Sequence, residues 1–445
     1  MDYQKFFKKK KITLLGLGLL GRGVGDAKFL AKYCKELVVT DLKTEKELEP
    51  SLKELSEFKN IKFVLGRHNF SDFKNTDMVI KGAGVPSDSP FIEEALKNNL
   101  PVHMSTALFA KFFIEQSKGT IIGITGTRGK STVAYLIYHI LKESGKNVEV
   151  GGNIQGVSTL SMIENIKPKS TVVLELDSWQ LQGFGYEKTD PQISVFTTLF
   201  RDHMNYYRDS MEKYIEDKAN IFLWQSEKDA LIISEQAFPK IYGSYRNKIK
   251  SKILKAEIKN IPFNWALPIP GKHNKINIIC AIEAALATGV SMEDIKKGVE
   301  SFKGVAGRLE LIGIKGYVKI YNDTTSTTPE AAIAGLQALD PDGSRNIVLI
   351  CGGSDKGLDM ENFIKEANLR TKKIILLSGT GTDRIKNNFT EAPTYNFLEE
   401  AIEDAFSSAS DKDIILFSPA FTSFGMFKNE YDRGDKFNEI VKKFL

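Results

Sequence analysis

The stretch TIIGITGTRGKST, residues 120–132, restricts the fold more than any other. An apolar run ends in glycines at 126 and 129, and the next segment, STVAYLIYHILKESG, has apolar residues at helical spacing up to Gly145. A strand that passes through glycines straight into a helix is the βα unit of a parallel sheet, because a parallel neighbour is reached only by a crossover. Gly126 and Gly129 can adopt positive φ and let the backbone approach a ligand. The first amides of the helix lack intrahelical partners and can face phosphate oxygens. Lys130 can neutralise β- and γ-phosphates, and Ser131 or Thr132 can hold Mg²⁺. The strict GxxxxGK[ST] spacing is not met, since position 124 is isoleucine where a glycine would stand.

A second glycine fingerprint, GLGLLG at residues 16–21, follows the apolar run KITLL, and Asp41 closes the run ELVVTD twenty residues after Gly21. The usual reading is a diphosphate at a helix N-terminus with Asp41 on a ribose. A tight strand-to-helix crossing without a ligand gives the same pattern.

Strand-like and helical runs alternate through the chain. IKFVLG and DMVIKGAG continue the first segment, and STVVLELDS and ISVFTTLF the second. GYVKIYND, NIVLICGG, KIILLSG and DIILFSP mark a third. Helices are expected near residues 21–33, 210–225 (Ser210 as N-cap) and 271–289. The fold class is α/β in three domains. A Rossmann-like domain spans 1–106, a central P-loop ATP-binding domain 107–303, and a second Rossmann-like domain 304–445.

The 445 residues carry 61 Lys and Arg against 56 acidic residues, a balance that suits small anions but not a nucleic acid. Three scattered cysteines exclude a disulfide framework, and five histidines form no HExxH pair. KKKKITLLGLGLL imitates a signal peptide, but Arg22 and Asp26 follow at once with no small-residue cleavage site. No run of 18 apolar residues suggests a membrane span. A cytoplasmic protein is expected.

LELDSWQL puts Glu175 at the end of a buried strand, placed to reach Mg²⁺ beside the phosphate loop. RDHMNYY sets Asp202 and His203 just after another strand. Lys218, read alone, is an ordinary helix lysine. With GKHNKIN and GVAGRLE following in order, the sequence resembles the Mur ligases, ATP-dependent amide ligases of peptidoglycan precursor synthesis. GLGLLGRG, YNDTTSTTPEA and SPAFTSFGMFKNEYDRGDKF resemble the members that add D-glutamate to UDP-N-acetylmuramoyl-L-alanine.

The resemblance explains two phosphate cradles, one for the UDP-sugar and one for ATP. It implies that Gly126, Thr127, Arg128, Gly129, Lys130, Ser131 and Thr132 bind ATP phosphates. Asn277, Arg308 and Asp323 match further ATP contacts. Ser131, Glu175, His203 and a carbamylated Lys218 match ligands of two Mg²⁺ ions. Leu19, Leu20, Asp41 and Asn153 match the UDP-sugar site, and Thr327, Lys356 and Ser423 the glutamate pocket. The resemblance implies Lys130, Glu175, His203 and Lys218 as the catalytic group, and a monomer is expected. Four positions depart from the family pattern. Arg128 replaces an asparagine, Asp177 a serine, KGAGVP a Ser-Pro-Gly turn, and Tyr206 a basic residue.

Overall fold

The computed structural model describes residues 2–19, 21–117, 119–154, 156–389, 391–423 and 425–445. They build three sheets in two compact units, Met1–Phe263 with Ile276–Gly298, and Asn264–Lys275 with Val299–Leu445.

The first unit holds two sheets. One contains β1 (Lys11–Leu15), β2 (Glu36–Asp41), β3 (Ile61–Leu65), β4 (Met78–Lys81) and β5 (Val102–His103) in the order β3-β2-β1-β4-β5, all parallel. Chain order reverses at β1, so the carboxyl end of β1 opens the crevice where parallel sheets bind ligands. Residues 16–21 leave β1 there and enter the helix Arg22–Tyr33. β4 is buried throughout, which is why it reads as an apolar run.

The other sheet contains β6 (Thr120–Thr125), β7 (Val148–Gly152), β8 (Thr171–Glu175), β9 (Ile193–Phe196), β10 (Ala230–Ser234) and β11 (Lys252–Ala256). Its order is β11-β10-β9-β6-β8-β7, again all parallel. The reversal now falls at β6, which leads through residues 126–129 into the helix Lys130–Glu143. One cluster of buried side chains joins the two sheets, running from Leu14 and Leu30 through Phe112 and Phe113 to Leu174 and Phe196. Phe112 and Phe113 come from the helix Ser105–Ser117, whose residues 106–110 are all buried. The stretch ALFA at 107–110 presents no polar side chain in its turn and so packs inside. Asp26 ties the same region together by accepting from Ser105 Oγ at 2.5 Å and Ser158 Oγ at 2.6 Å.

The second unit holds β12 (Glu310–Lys315), β13 (Val318–Asn322), β14 (Ile347–Gly352), β15 (Thr371–Leu377), β16 (Thr394–Tyr395) and β17 (Ile414–Phe417). The order is β12-β13-β17-β14-β15-β16; β12 runs antiparallel to β13 and the other pairs are parallel. Each face has its own core, one around Leu336, Phe363 and Leu376 and the other around Ile320, Ala401 and Phe437.

Two expectations are corrected. The helix anticipated over 210–225 spans Met211–Ala219, capped by Ser210 as anticipated. Beyond it Ile221 and Phe222 are both buried, and their amides bond three residues back, which tightens the chain into turns. The sequence pattern does not mark the strands β5, β7, β10, β11, β12 and β16. Among the described residues no helix is long and apolar enough to cross a membrane.

Candidate active site

At the carboxyl end of β6 the glycine turn is held from below. Thr127 N–H donates to the Thr198 carbonyl at 2.7 Å and Arg128 N–H to Thr198 Oγ1 at 2.8 Å. Gly126 has φ +142°, and a Cβ there would sit 2.1 Å from Thr197 Oγ1. Gly129 has φ +87°, and its Cβ would sit 2.2 Å from Asn277 Oδ1. Both glycines are thus demanded by close packing within the protein. Thr127 is engaged inward as well, its hydroxyl bonding the Phe200 carbonyl and the Tyr214 hydroxyl. The turn's open donors are the first-turn amides of the helix beginning at Lys130, which no capping side chain satisfies. Ser131 and Thr132 lie on that turn.

Two lysines meet over this turn. Lys130 Nζ donates to the carbonyls of Gly126 at 3.1 Å and Thr127 at 3.2 Å. Lys218 Nζ donates to the same Gly126 carbonyl at 2.9 Å and to Thr125 Oγ1 at 3.3 Å. Lys218 is 1% exposed, so it is not the solvated lysine its local sequence suggests. Its ammonium lies 4.8 Å from the Tyr214 ring centre. Burial lowers the pKa of both lysines. Glu175 opposes that fall at Lys130, whereas the Lys130 charge deepens it at Lys218.

Glu175 ends β8, beside β6, and is buried. Asp177 N-caps the helix Ser178–Glu187 in a capping box with Gln180, which gives the acidic replacement a structural use. His203 has φ +55°, a left-handed backbone that is uncommon for a side chain of its size. Its ring packs 4.7 Å from that of Trp179, and burial lowers its pKa, which favours neutral imidazole. Arg128 Nη1 pairs with Asp202 at 3.4 Å. Among the described residues no three His, Cys, Asp or Glu side chains converge as a ready-made metal cage.

On the first sheet, Asp41 accepts from the amides of Leu17 at 2.8 Å, Gly18 at 3.0 Å and Lys43 at 2.9 Å. Burial pushes its pKa up, but the amides pull it further down. Its carboxylate therefore shapes the glycine loop itself. Leu19 is exposed, and Leu20 lies outside the described residues. Asn153 Oδ1 accepts from Arg22 Nη1 at 2.6 Å, which links the loop to the end of β7. Sequence reasoning missed Arg22 as a candidate. It also missed Lys81, a 1% exposed cation at the end of β4 that donates to the Val85 carbonyl and to Gln182. Gln182 in turn donates to the Tyr206 hydroxyl at 3.1 Å and to Asp217 at 2.7 Å. No local motif marks Arg22 or Lys81, since Asn153 and Gln182, their side-chain partners, lie 131 and 101 positions further on.

In the second unit Asp323 accepts from Leu309 N–H at 3.1 Å, Ser326 Oγ at 2.6 Å and Ser418 Oγ at 2.8 Å. Burial raises its pKa to about 6. Arg308, next to Leu309, is exposed. Thr327 and Lys356 line one crevice with Asp355, Ala420 and Phe421, and Lys356 Nζ lies 3.3 Å from Thr327 Oγ1. Ser423, two residues after Phe421, is buried.

Residues 124–260 match the family model of the Mur ligase middle domain, and residues 307–421 that of the Mur ligase glutamate ligase domain. The chain belongs to the Mur ligase family. This Mur ligase is 36% identical to the UDP-N-acetylmuramoylalanine--D-glutamate ligase of Borreliella burgdorferi strain B31, covering 98% of each chain. It is 32% identical to the enzyme of the same name from Roseiflexus sp. strain RS-1, covering 98% of this chain and 99% of that one. In fold, this Mur ligase is similar to the MurF ligase of Thermotoga maritima in complex with ADP, with a TM-score of 0.61, 16% identity and full coverage of both chains.

Proposed function

We propose that this Mur ligase joins D-glutamate to UDP-N-acetylmuramoyl-L-alanine at the expense of ATP, releasing ADP and phosphate. The observation that carries the reading is the convergence of Lys130 and Lys218 on one loop carbonyl beside an open helix N-terminus. The choice of substrates is supported by full-length relatives bearing that enzyme name. The lobes would be 1–106 for the UDP-sugar, 107–303 for ATP and 304–445 for the amino acid, in a cytoplasmic monomer.

A carboxylate is a poor electrophile. Attack of the alanyl carboxylate on the γ-phosphorus gives an acyl phosphate and ADP, and the glutamate amine then displaces phosphate. The barrier lies in bringing one anion onto another. Lys130 would move from the loop carbonyls to the phosphates, whose charge would also favour its protonated form. Residues 126–132, with Asn277, Arg308 and Asp323, would hold ATP. Leu19, Leu20, Asp41 and Asn153 would line the sugar site, Asp41 by fixing the loop amides. Thr327, Lys356 and Ser423 would receive glutamate.

The donor set fits magnesium only in part. Glu175 and His203 are competent ligands and Ser131 is on the right turn, but an ammonium at Lys218 is not a ligand. Carbamylation of Lys218 would convert that cation into an oxygen donor. Burial favours the free amine that reacts with CO₂. Two Mg²⁺ ions held there would neutralise phosphate charge. The test is phosphate release with UDP-N-acetylmuramoyl-L-alanine and a panel of D- and L-amino acids. Stimulation by D-glutamate supports the reading, and stimulation by a different amino acid alone refutes it.

A further inference from the structure

Lys356 sits between two residues that are both tied down by one short helix. The loop after β14 carries it, and the helix Thr380–Ile385 lies alongside. Asp355 N–H donates to Thr380 Oγ1 at 3.0 Å. Arg384 Nη1 donates to Asp355 Oδ1 at 2.5 Å, and Arg384 Nη2 to the Leu358 carbonyl at 3.2 Å. Asp355 Oδ1 also accepts from Gly357 N–H at 2.9 Å, a bond that the φ of +70° at Gly357 permits. One guanidinium thus grips the loop on both sides of Lys356.

The charge arrangement gives that grip a purpose. Asp355 lines the same crevice as Lys356 and Thr327. An acid next to the lysine meant for a carboxylate would both repel the ligand and compete for the ammonium. The bonds from Gly357 and Arg384 satisfy Asp355 Oδ1 and hold the acid to one side. We infer that Arg384 is a positioning residue for amino-acid recognition: it restrains Asp355 so that Lys356 is offered to the carboxylate of the incoming amino acid. The inference rests on the reading of this crevice as the amino-acid pocket.

The test is steady-state kinetics on the full chain, varying D-glutamate and ATP separately. Arg384→Ala should raise KM for D-glutamate about tenfold while KM for ATP stays within about twofold, since an interaction that only binds one substrate shows in that substrate's KM. Removing the released acid as well, in Asp355→Asn/Arg384→Ala, should recover most of the lost KM. A merely structural role for Arg384 predicts no recovery. An unchanged KM in Arg384→Ala, or no recovery in the double variant, overturns the inference. Lys356→Ala is the separate control. If it leaves KM for D-glutamate at the wild-type value, the pocket reading itself falls; if it raises KM while Arg384→Ala does not, only the role of Arg384 falls.

Discussion

Lys130 and Lys218 donate to one acceptor, the Gly126 carbonyl oxygen, at 3.1 and 2.9 Å. A buried and a half-buried lysine sharing one neutral oxygen leave positive charge with no carboxylate directly bonded to it among the described residues. Such a site is completed by an anion, or by conversion of one lysine to an anion.

Lys130→Ala should lower kcat for ADP formation by about 10²-fold or more, because it removes charge stabilisation of the transferring phosphoryl group. Pre-steady-state ADP release measures this. A variant within a few-fold of wild type would remove Lys130 from the chemistry.

Lys218 should carry a carbamate in the active enzyme. Activity should fall in buffer stripped of CO₂ and return when bicarbonate is added. Lys218→Ala should be nearly inactive, with partial rescue by a small carboxylic acid. Carbon-13 NMR after addition of labelled bicarbonate reads the adduct directly. Full activity without CO₂ contradicts the assignment.

Gly129→Ala should cost about 2 kcal/mol or more, from positive φ and from the contact with Asn277 Oδ1. Denaturant unfolding measures the loss. Adding Asn277→Ala should recover the share due to the clash but not the share due to φ. No recovery would mean that the clash contributes nothing.

Asp190 gives a pH-dependent stability. Burial, and then the Asp229 charge, raise its pKa from 3.8 to about 7, and its Oδ2 has no hydrogen-bond partner. A raised pKa means that the folded state binds the proton more tightly. The stability tied to this proton is complete below about pH 4 and is lost as pH rises through 7. Asp190→Asn should therefore raise Tm at pH 8, with the gain shrinking toward pH 5. A gain that grows as pH falls would reverse the sign and refute the argument.

Much of the fold was legible because buried parallel strands read as apolar runs punctuated by glycine. MVI before Lys81 and TVVLE ending at Glu175 are examples. Strands such as KILKA at 252–256 were not legible, because the edge position of β11 leaves exposed lysines in the run. The phosphate turn was visible as a motif, but the reason for its glycines was not. Thr197 and Asn277, which they pack against, lie about 70 and 150 residues further on, and close approach across a sheet leaves no local pattern. Lys218 was indistinguishable from a surface lysine on its helix. Only the fold shows it enclosed by Thr125, Gly126 and Tyr214. Asp41 carried a motif-level role on a ribose, whereas its carboxylate binds the loop amides of Leu17 and Gly18.

The most direct test of the central claim follows an oxygen atom. UDP-N-acetylmuramoyl-L-alanine labelled with heavy oxygen in its alanyl carboxylate is turned over with ATP and D-glutamate, and the released phosphate is analysed by mass spectrometry. Attack of that carboxylate on ATP predicts transfer of a labelled oxygen to phosphate. Product formation with unlabelled phosphate would contradict it.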